Sequence, residues 1–479
     1  MTDKPCIENA TYDELPPGRS ASLTRTLTGD EIARFAAVSG DVNPAHMNAT
    51  YAQHDMFHGV VGHGMWLGGL ISAVLGNTLP GAGTIYLEQD IKFHKPVRPG
   101  DTVTVTITVR DKPADKKPRV IFDCRAENQK HETVADGIAV VLAPVEKIKT
   151  PETETPALEI QTHGRYQALM EACRGLPPMR TAVVHPVQPE IIEAVNDAVK
   201  DELIIPVLVG PRPRIMAAAA EAKIDISAWD IVDTPHSHAS GFKGAGLAAK
   251  GDVQAIMKGS LHTDELLGPI VAADSGLRTE RRLSHVYIMD VPAYHKLLFI
   301  TDAVVNIAPD LNAKADICRN AIECWRALES CKTMPENRAP KLAILAAVEV
   351  INPKMPATLD AAALCKMAER GQIAGGIIDG PLALDNAVSK IAAAEKGIVS
   401  DVAGDADILV VPEIEAGNML AKELTFLGQA DAAGIVLGAR VPVILTSRAD
   451  NLRTRLSSCA VAVLLAEARR RNEAGGKAT

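Results

Sequence analysis

The sequence lacks a basic block: no run of Lys and Arg is longer than Arg469-Arg470-Arg471, and the formal net charge of the 479 residues is −9. An acidic chain without a basic block does not predict the positively charged surface that binds DNA or RNA, so we exclude a nucleic-acid-binding function. A phosphate-bearing ligand would need basic side chains placed locally, because the overall field does not attract it.

Paired cysteine motifs and membrane segments are also missing. The eight cysteines form neither a CxxC pair nor the spacing of a metal site, which predicts reduced thiols and no bound metal. The amino terminus is polar and acidic, unlike a signal peptide. The most apolar window, around Met65, is too short and too rich in glycine to span a bilayer. We therefore expect a cytoplasmic protein that does not interact with a membrane.

Nucleotide-binding motifs are absent as well. The glycine-rich segment Gly241–Gly246 lacks the Gly-Lys-Ser/Thr ending of a P-loop and the spacing of a Rossmann turn. We interpret it as a plain loop, with a phosphate contact as the alternative. No cofactor is predicted.

The chain is too long for one ordinary core and predicts two or three domains. The segment PVEKIKTPETETP, from Pro144 to Pro156, has proline, threonine and charge but no apolar periodicity. We therefore predict a first domain over residues 1–148, a linker over 149–160 and a second domain over 161–479.

The first domain combines one apolar helix with several strands. The helix, from about Gly64 to Asn77, is apolar on every side and should be buried all round. Segments such as TVTVTITVR alternate with period two, and short turns join them as an antiparallel sheet. One central helix wrapped by a curved antiparallel sheet is an α+β hot-dog fold. The predicted strands are Thr84–Phe93, Thr102–Arg110, Val120–Glu127 and Thr133–Leu142.

A predicted turn from Gly40 to Pro44 carries the first candidate site. Proline fixes its own φ and keeps the preceding residue out of the helical region. Such a turn can aim Asp41 and His46, five residues apart, into one pocket, which a helix would not do. Gly64 would offer an approachable backbone N–H at the start of the apolar helix. Together they predict an acid–base site that polarises a carbonyl, with a purely structural polar turn as the alternative.

The segments VSGDVNPAH and VGHGM, with GTIYLEQDIKFHKPVRPGD after them, resemble the MaoC-like, (R)-specific enoyl-CoA hydratase family over roughly residues 20–143. The resemblance implies hydration of a trans-2-enoyl-CoA to the (R)-3-hydroxyacyl-CoA by a homo-oligomer, usually a dimer. It implies that Asp41 and His46 activate water and deliver the proton, while the N–H of Gly64 holds the thioester oxygen. Asn43 and Ser72 would be supporting, substrate-binding polar groups.

The second domain alternates short apolar runs with helical segments, which predicts an α/β fold with a doubly wound parallel sheet. Its length predicts two lobes with a cleft between them. Ligands of such sheets bind beyond the carboxyl ends of strands. That rule selects the polar stretches after Ala255–Met257, around Arg278, after Val411 and after Leu445.

Three segments, DGPLALDNAVS, EAGNMLAK and LTSRAD, resemble the phosphate acetyl/butyryltransferase family, closest to its butyryl-type branch, over about residues 165–470. The resemblance implies acyl transfer between the sulfur of CoA and phosphate, in a cleft between two lobes, without metal or nucleotide. Ser447 and Arg448 are the implied catalytic residues. Lys258 and Arg278 are candidates for phosphate or CoA binding. The resemblance implies a carboxylate base several residues past the Ser-Arg pair, where this chain has Thr454, and Asp450 is the nearby carboxylate that could take that role.

Together these patterns predict a bifunctional enzyme whose partners are acyl-CoA, CoA and phosphate. One alternative is a transferase whose hot-dog domain only binds acyl-CoA or assembles the protein. Complete retention of the acid–base residues speaks against it, since a binding module needs no base. A lobed dehydrogenase is a third interpretation, and it lacks any dinucleotide-binding turn.

Overall fold

The computed structural model describes residues 6–114, 116–151, 164–331, 333–334, 338–445 and 451–475. The chain forms two compact units, Met1–Gln161 and Thr162–Thr479. Within the described residues, no helix combines the length and the apolar character needed to cross a membrane. The seven cysteines whose side chains are described are all free thiols.

The amino-terminal unit wraps a five-stranded antiparallel sheet, in the order β2-β4-β5-β6-β3, around one long helix. Alternate residues of β4 are buried, as the period-two pattern predicts. The strands are β1 (Cys6–Glu8), β2 (Ser20–Thr26), β3 (Ile85–Phe93), β4 (Thr102–Asp111), β5 (Arg119–Asn128), β6 (Thr133–Leu142) and β7 (Lys149–Pro151). The helices are α1 (Gly29–Ser39), α2 (Pro44–Met47), α3 (Ala49–His54) and α4 (Gly64–Asn77), with a 3₁₀ turn at Tyr12–Glu14.

The start of the predicted linker is structured. Lys149–Pro151 form β7, which pairs antiparallel with β1. The amino-terminal unit therefore continues past residue 148, and residues 152–160 of the predicted linker lie outside the described residues.

Helix α4 is not buried on all sides, in contrast to the sequence-based expectation. Its residues Leu67, Ile71 and Val74 pack in the core. Met65, by contrast, is 55% exposed, and Gly69, Ser72 and Gly76 continue the exposed side at helical spacing. The helix has no charged residues, yet it keeps an exposed face that combines Met65 with small residues.

The carboxy-terminal unit has one mixed sheet of eleven strands, in the order β10-β9-β8-β11-β18-β17-β12-β13-β16-β14-β15. The strands are β8 (Met179–Val184), β9 (Ile204–Gly210), β10 (Asp230–Asp233), β11 (Ala255–Lys258), β12 (Ser284–Asp290), β13 (Leu298–Thr301), β14 (Lys341–Leu345), β15 (Ile377–Leu382), β16 (Ile408–Val410), β17 (Asp431–Leu437) and β18 (Val443–Ile444). The helices are α5 (Gly164–Cys173), α6 (Pro189–Lys200), α7 (Arg212–Glu221), α8 (Ser237–Lys250), α9 (Thr263–Val271), α10 (Leu311–Ser330), α11 (Pro356–Glu369), α12 (Leu384–Val388), α13 (Lys390–Glu395), α14 (Ile414–Phe426) and α15 (Leu452–Gly475).

The predicted doubly wound parallel sheet is correct only in part, because the sheet is mixed. One parallel group contains β10, β9, β8, β11 and β18, and another contains β13, β16, β14 and β15. Antiparallel pairing of β18 with β17, β17 with β12 and β12 with β13 joins them into one sheet. The two groups consequently point in opposite directions, and their carboxyl ends lie at opposite edges.

Candidate active sites

The turn between α1 and α2 positions the first candidate site. Helix α1 ends at Gly40, whose positive φ of 75° suits glycine. Asn43 has φ of −53° and ψ of 132°, outside the helical region as expected before Pro44, and its Oδ1 accepts a bond of 3.0 Å from the N–H of Ala45. Oδ1 of Asp41 accepts a bond of 3.2 Å from the N–H of Asn43. Asn43 therefore caps α2, and Asp41 is the exposed carboxylate of the turn.

His46 is half-buried on α2, and one backbone bond sets its tautomer. Its Nδ1 lies 2.7 Å from the carbonyl oxygen of Val61. A carbonyl oxygen only accepts, so Nδ1 carries the proton and donates it. Nε2 of His46 is then left with a lone pair, which is the state that a general base requires.

His63 connects the elements of this site and was given no role by the sequence patterns. Its Nε2 lies 2.9 Å from the backbone oxygen of Asp41, so Nε2 carries the proton. Its ring lies 4.0 Å from that of His46 and 4.9 Å from that of Phe35, centroid to centroid. His63 is 4% exposed, and its Nδ1 is buried without a hydrogen-bond partner among the described residues.

The structure brings the predicted carboxylate and imidazole together. One ligand-type atom each of Asp41, His46 and His63 lies within 4.8 Å of the other two. By donor type, two imidazoles and a carboxylate could also hold a divalent metal ion. As an acid–base set, they offer one exposed carboxylate beside one imidazole with a free Nε2.

Gly64 is the first residue of α4 and is exposed, so its N–H belongs to the unsatisfied first turn. A Cβ on Gly64 would lie 3.2 Å from the ring of Phe93, which leaves little space for any other residue. Ser72 is exposed on the same helix but eight residues away, roughly 12 Å along the axis. The structure does not bring Ser72 into the cluster of Asp41, His46 and His63.

The predicted transferase residues fall at several places. Ser447, Arg448 and Asp450 lie outside the described residues. Lys258 is the last residue of β11 and is 7% exposed. The residue before it, Met257, pairs with Ile444, the last residue of β18. Lys258 therefore lies beside the end of β18 from which the chain continues toward Ser447.

Arg278 is exposed, and its backbone pairs with Ala439 beyond the end of β17. At the other end, Leu445 donates to the backbone oxygen of Gly434, near the end of β18 beside Lys258. Gly434 and Ala439 are five residues apart, a distance of roughly 17 Å along the strand. The structure therefore does not bring Arg278 beside Lys258. The two predicted substrate contacts lie toward opposite edges of the sheet.

A buried network around Asp302 has no counterpart among the sequence-predicted sites. Asp302, 2% exposed, accepts bonds of 3.0 and 3.0 Å from the N–H groups of Val304 and Val305, and one of 2.6 Å from Nδ2 of Asn306. Burial raises the pKa of Asp302, and these bonds act in the opposite direction. Oδ1 of Asn306 accepts a bond of 2.6 Å from Nε of Arg282. The network holds an exposed guanidinium in place, and the available signal was a polar pair directly after the apolar run of β13.

Comparison with known proteins identifies one family for each unit. The family model described as "Phosphate acetyl/butaryl transferase" matches residues 238–463, and the "MaoC like domain" model matches residues 14–128. The phosphate acetyltransferase of Rhizobium meliloti is 54% identical over 306 residues, which cover 64% of this chain and 95% of that protein.

Two solved structures are also similar. A branched-chain phosphotransacylase from Enterococcus faecalis V583 is 32% identical, with a TM-score of 0.52, over 60% of this chain and 98% of that one. R-hydratase PhaJ1 from Pseudomonas aeruginosa is 40% identical, with a TM-score of 0.31, over 33% of this chain and 100% of that one.

Proposed function

This chain belongs to the phosphate acetyl/butyryltransferase family and carries a MaoC-like domain ahead of its transferase domain, and we propose that it is a bifunctional acyl-CoA enzyme. Its carboxy-terminal domain exchanges an acyl group between CoA and phosphate. Its amino-terminal domain hydrates a trans-2-enoyl-CoA to the (R)-3-hydroxyacyl-CoA, or catalyses the reverse reaction. Both domains would act on CoA thioesters, which gives a physical reason for their fusion.

In the proposed transferase, phosphate attacks the carbonyl carbon of the acyl-CoA. The new C–O bond forms, the C–S bond breaks, and CoA leaves as the thiolate or, with a proton, as the thiol. Negative charge builds on the carbonyl oxygen during this step, and the hydroxyl of Ser447 is suited to stabilise it. Arg448 would bind phosphate oxygens in a bidentate manner. The position of Lys258, beside the end of β18, supports its role as a second cation there.

The transferase proposal is tested by CoA release from acetyl-, butyryl- and 3-hydroxybutyryl-CoA in the presence of phosphate. We expect Ser447→Ala to lower kcat strongly, since it removes a donor to the developing oxyanion. The rates of the wild type on the three substrates show which acyl group it prefers. Equal rates for wild type and Ser447→Ala would contradict the assigned role.

The hydratase proposal rests on one observation above all: the carbonyl of Val61 fixes the His46 tautomer so that Nε2 carries the lone pair, and ligand-type atoms of His46 and Asp41 lie within 4.8 Å of each other. Asp41 and His46 would together take a proton from water, whose oxygen adds to C3 of the enoyl chain, and deliver a proton to C2. The N–H of Gly64 would stabilise the enolate oxygen of the thioester, assisted by the positive end of α4.

Loss of the enoyl absorbance of crotonyl-CoA tests this proposal. We expect the wild type to form (R)-3-hydroxybutyryl-CoA and Asp41→Ala to be inactive or nearly so. Tight binding of the enoyl-CoA without turnover by the wild type would instead favour a domain that only binds acyl-CoA.

We also propose that the protein is a homo-oligomer formed through the amino-terminal unit. Strand β3 lies at the edge of its sheet, and Ile85, Leu87 and Phe93 on it are 57%, 42% and 49% exposed. An exposed apolar edge strand favours pairing with a second copy. The molar mass in solution tests this, and Leu87→Lys should lower it to that of a single chain.

A further inference from the structure

Two adjoining cavities of about 680 and 430 Å³ open on the carboxy-terminal unit and share the residues Arg281, Glu323 and Arg469. Helix α10 forms one wall with Arg319, Glu323 and Arg326, which lie on one face at helical spacing. The arginine groove is defined here by its five guanidinium groups, those of Arg281, Arg319, Arg326, Arg440 and Arg469.

Backbone carbonyls hold most of these guanidinium groups in place. The carbonyl of Gln372 accepts bonds of 3.2 and 2.8 Å from Nε and a terminal nitrogen of Arg319. Nε of Arg326 donates to Gly375, a residue with φ of 95° whose Cβ would lie 3.2 Å from that same nitrogen. Arg440 donates to the carbonyl of Gly276 at 2.8 Å, and Arg469 to that of Arg440 at 3.1 Å. Carbonyl contacts orient a guanidinium without cancelling its charge.

The acidic side chains at the arginine groove do not fully neutralise it: five guanidinium groups face four carboxylates, an excess of one positive charge. Arg281 and Arg469 share Glu323, at 2.5 and 3.4 Å, and Arg319 pairs with Asp316 at 2.7 Å. Five guanidinium groups thus share two carboxylates, with Glu280 and Glu329 as the further acidic lining residues. Clustered like charges repel one another, and an anion bound between them would relieve that repulsion.

We propose that the arginine groove binds the phosphate groups of a nucleotide that carries at least two of them. Guanidinium forks match phosphate oxygens bidentately, and their orientation by carbonyls reduces the entropy lost on binding. The larger cavity has the volume of a small-molecule site. The nucleotide is either the phosphorylated adenosine end of CoA or a free nucleotide. Only the CoA alternative rests on the proposed function.

Calorimetric titration of the full chain with ADP tests the proposal. We expect saturable binding by the wild type that weakens with added salt. The double variant Arg319→Gln/Arg326→Gln keeps a donor at each position but removes two charges, and should bind ADP roughly tenfold more weakly or worse. Arg174→Gln is the matched control, since Arg174 is exposed, pairs with the nearby Glu171 and lines neither cavity. It should bind ADP as the wild type does.

Competition with CoA then identifies the natural ligand. Displacement of ADP by CoA, with a raised KM for CoA and unchanged kcat in the double variant, would assign the groove to CoA itself. Binding of ADP that CoA does not displace would assign it to a free nucleotide. Absence of saturable ADP binding, or equal ADP affinity in the wild type and the double variant, would overturn the proposal. A failure of acyl transfer would leave the ADP result intact, so the two proposals fail separately.

Discussion

At the scale of single residues, His63 links the two groups that we propose for hydration. It donates to the backbone of Asp41 and packs against the ring of His46. His63→Phe keeps an aromatic ring but loses the donor, so we expect hydration to fall about tenfold, the effect of one hydrogen bond. His63→Gln keeps a donor and should recover part of that activity. The measurement is kcat and KM for crotonyl-CoA.

Acyl transfer by the same two His63 variants is the control and should stay at the wild-type rate. Equal losses of hydration in His63→Phe and His63→Gln would show that ring packing, not the bond to Asp41, is what matters. Unchanged hydration in both would contradict the positioning role.

The difference between Asp41 and His63 shows what a sequence can predict at this scale. Asp41 lies in the turn before α2 and His46 lies on α2 itself, and this local geometry follows from neighbouring residues, so their approach was predictable. His63 reaches Asp41 across 22 positions of the chain, and local rules do not specify such a contact. Arg278 and Lys258 were assigned to the same ligands by residue type, and only the strand order shows that they lie far apart.

At the scale of elements, the start of α4 should tolerate no side chain at Gly64. A Cβ there would lie 3.2 to 3.4 Å from three ring atoms of Phe93. We expect Gly64→Ala to shift that ring or the helix start and to lower hydration. Gly69→Ala on the same helix is the matched control, because nothing lies within 4 Å of its Cβ.

Gly69→Ala should keep hydration and stabilise the helix by about 0.5–1 kcal/mol. Steady-state kinetics on both variants, with thermal unfolding, checks the pair. Full hydration by Gly64→Ala would remove the steric argument for that glycine.

Elements were predictable where their local pattern was strong. The helix from Gly64 to Asn77 and the strand Thr133–Leu142 have the predicted bounds. The sequence of strand β17, DAAGIVL, is rich in alanine and glycine, which are poor strand formers, so its local pattern does not predict a strand. Strand β17 is one of the strands that join the two parallel groups, and the alternation of apolar runs with helices does not reveal such antiparallel pairing.

At the scale of the whole molecule, His285 links stability to pH. It is fully buried in β12, and this burial lowers its pKa to about 3, with the carbonyl of Leu445 acting in the opposite direction. When the pH falls below the ordinary histidine pKa near 6.5, His285 takes up a proton in the unfolded chain but not in the folded chain. Stability from this group is therefore complete above pH 6.5 and is lost as the pH falls from there toward 3.

His285→Leu should lose less stability on acidification than the wild type, by about 1.6 kcal/mol between pH 6.5 and 5. Calorimetric unfolding of both proteins at the two pH values measures this difference, whatever the cost of the substitution itself. An identical change in the two proteins would mean that His285 takes up its proton in the folded state as readily as in the unfolded one.

The central claim, two separate reactions on CoA thioesters in one chain, is tested most directly by measuring both activities in one preparation of each single variant. Asp41→Asn should abolish hydration of crotonyl-CoA and leave phosphate-dependent CoA release from butyryl-CoA at the wild-type rate. Ser447→Ala should do the reverse. Hydration that survives in Asp41→Asn, or that is undetectable in the wild type while CoA release is normal, would contradict the account.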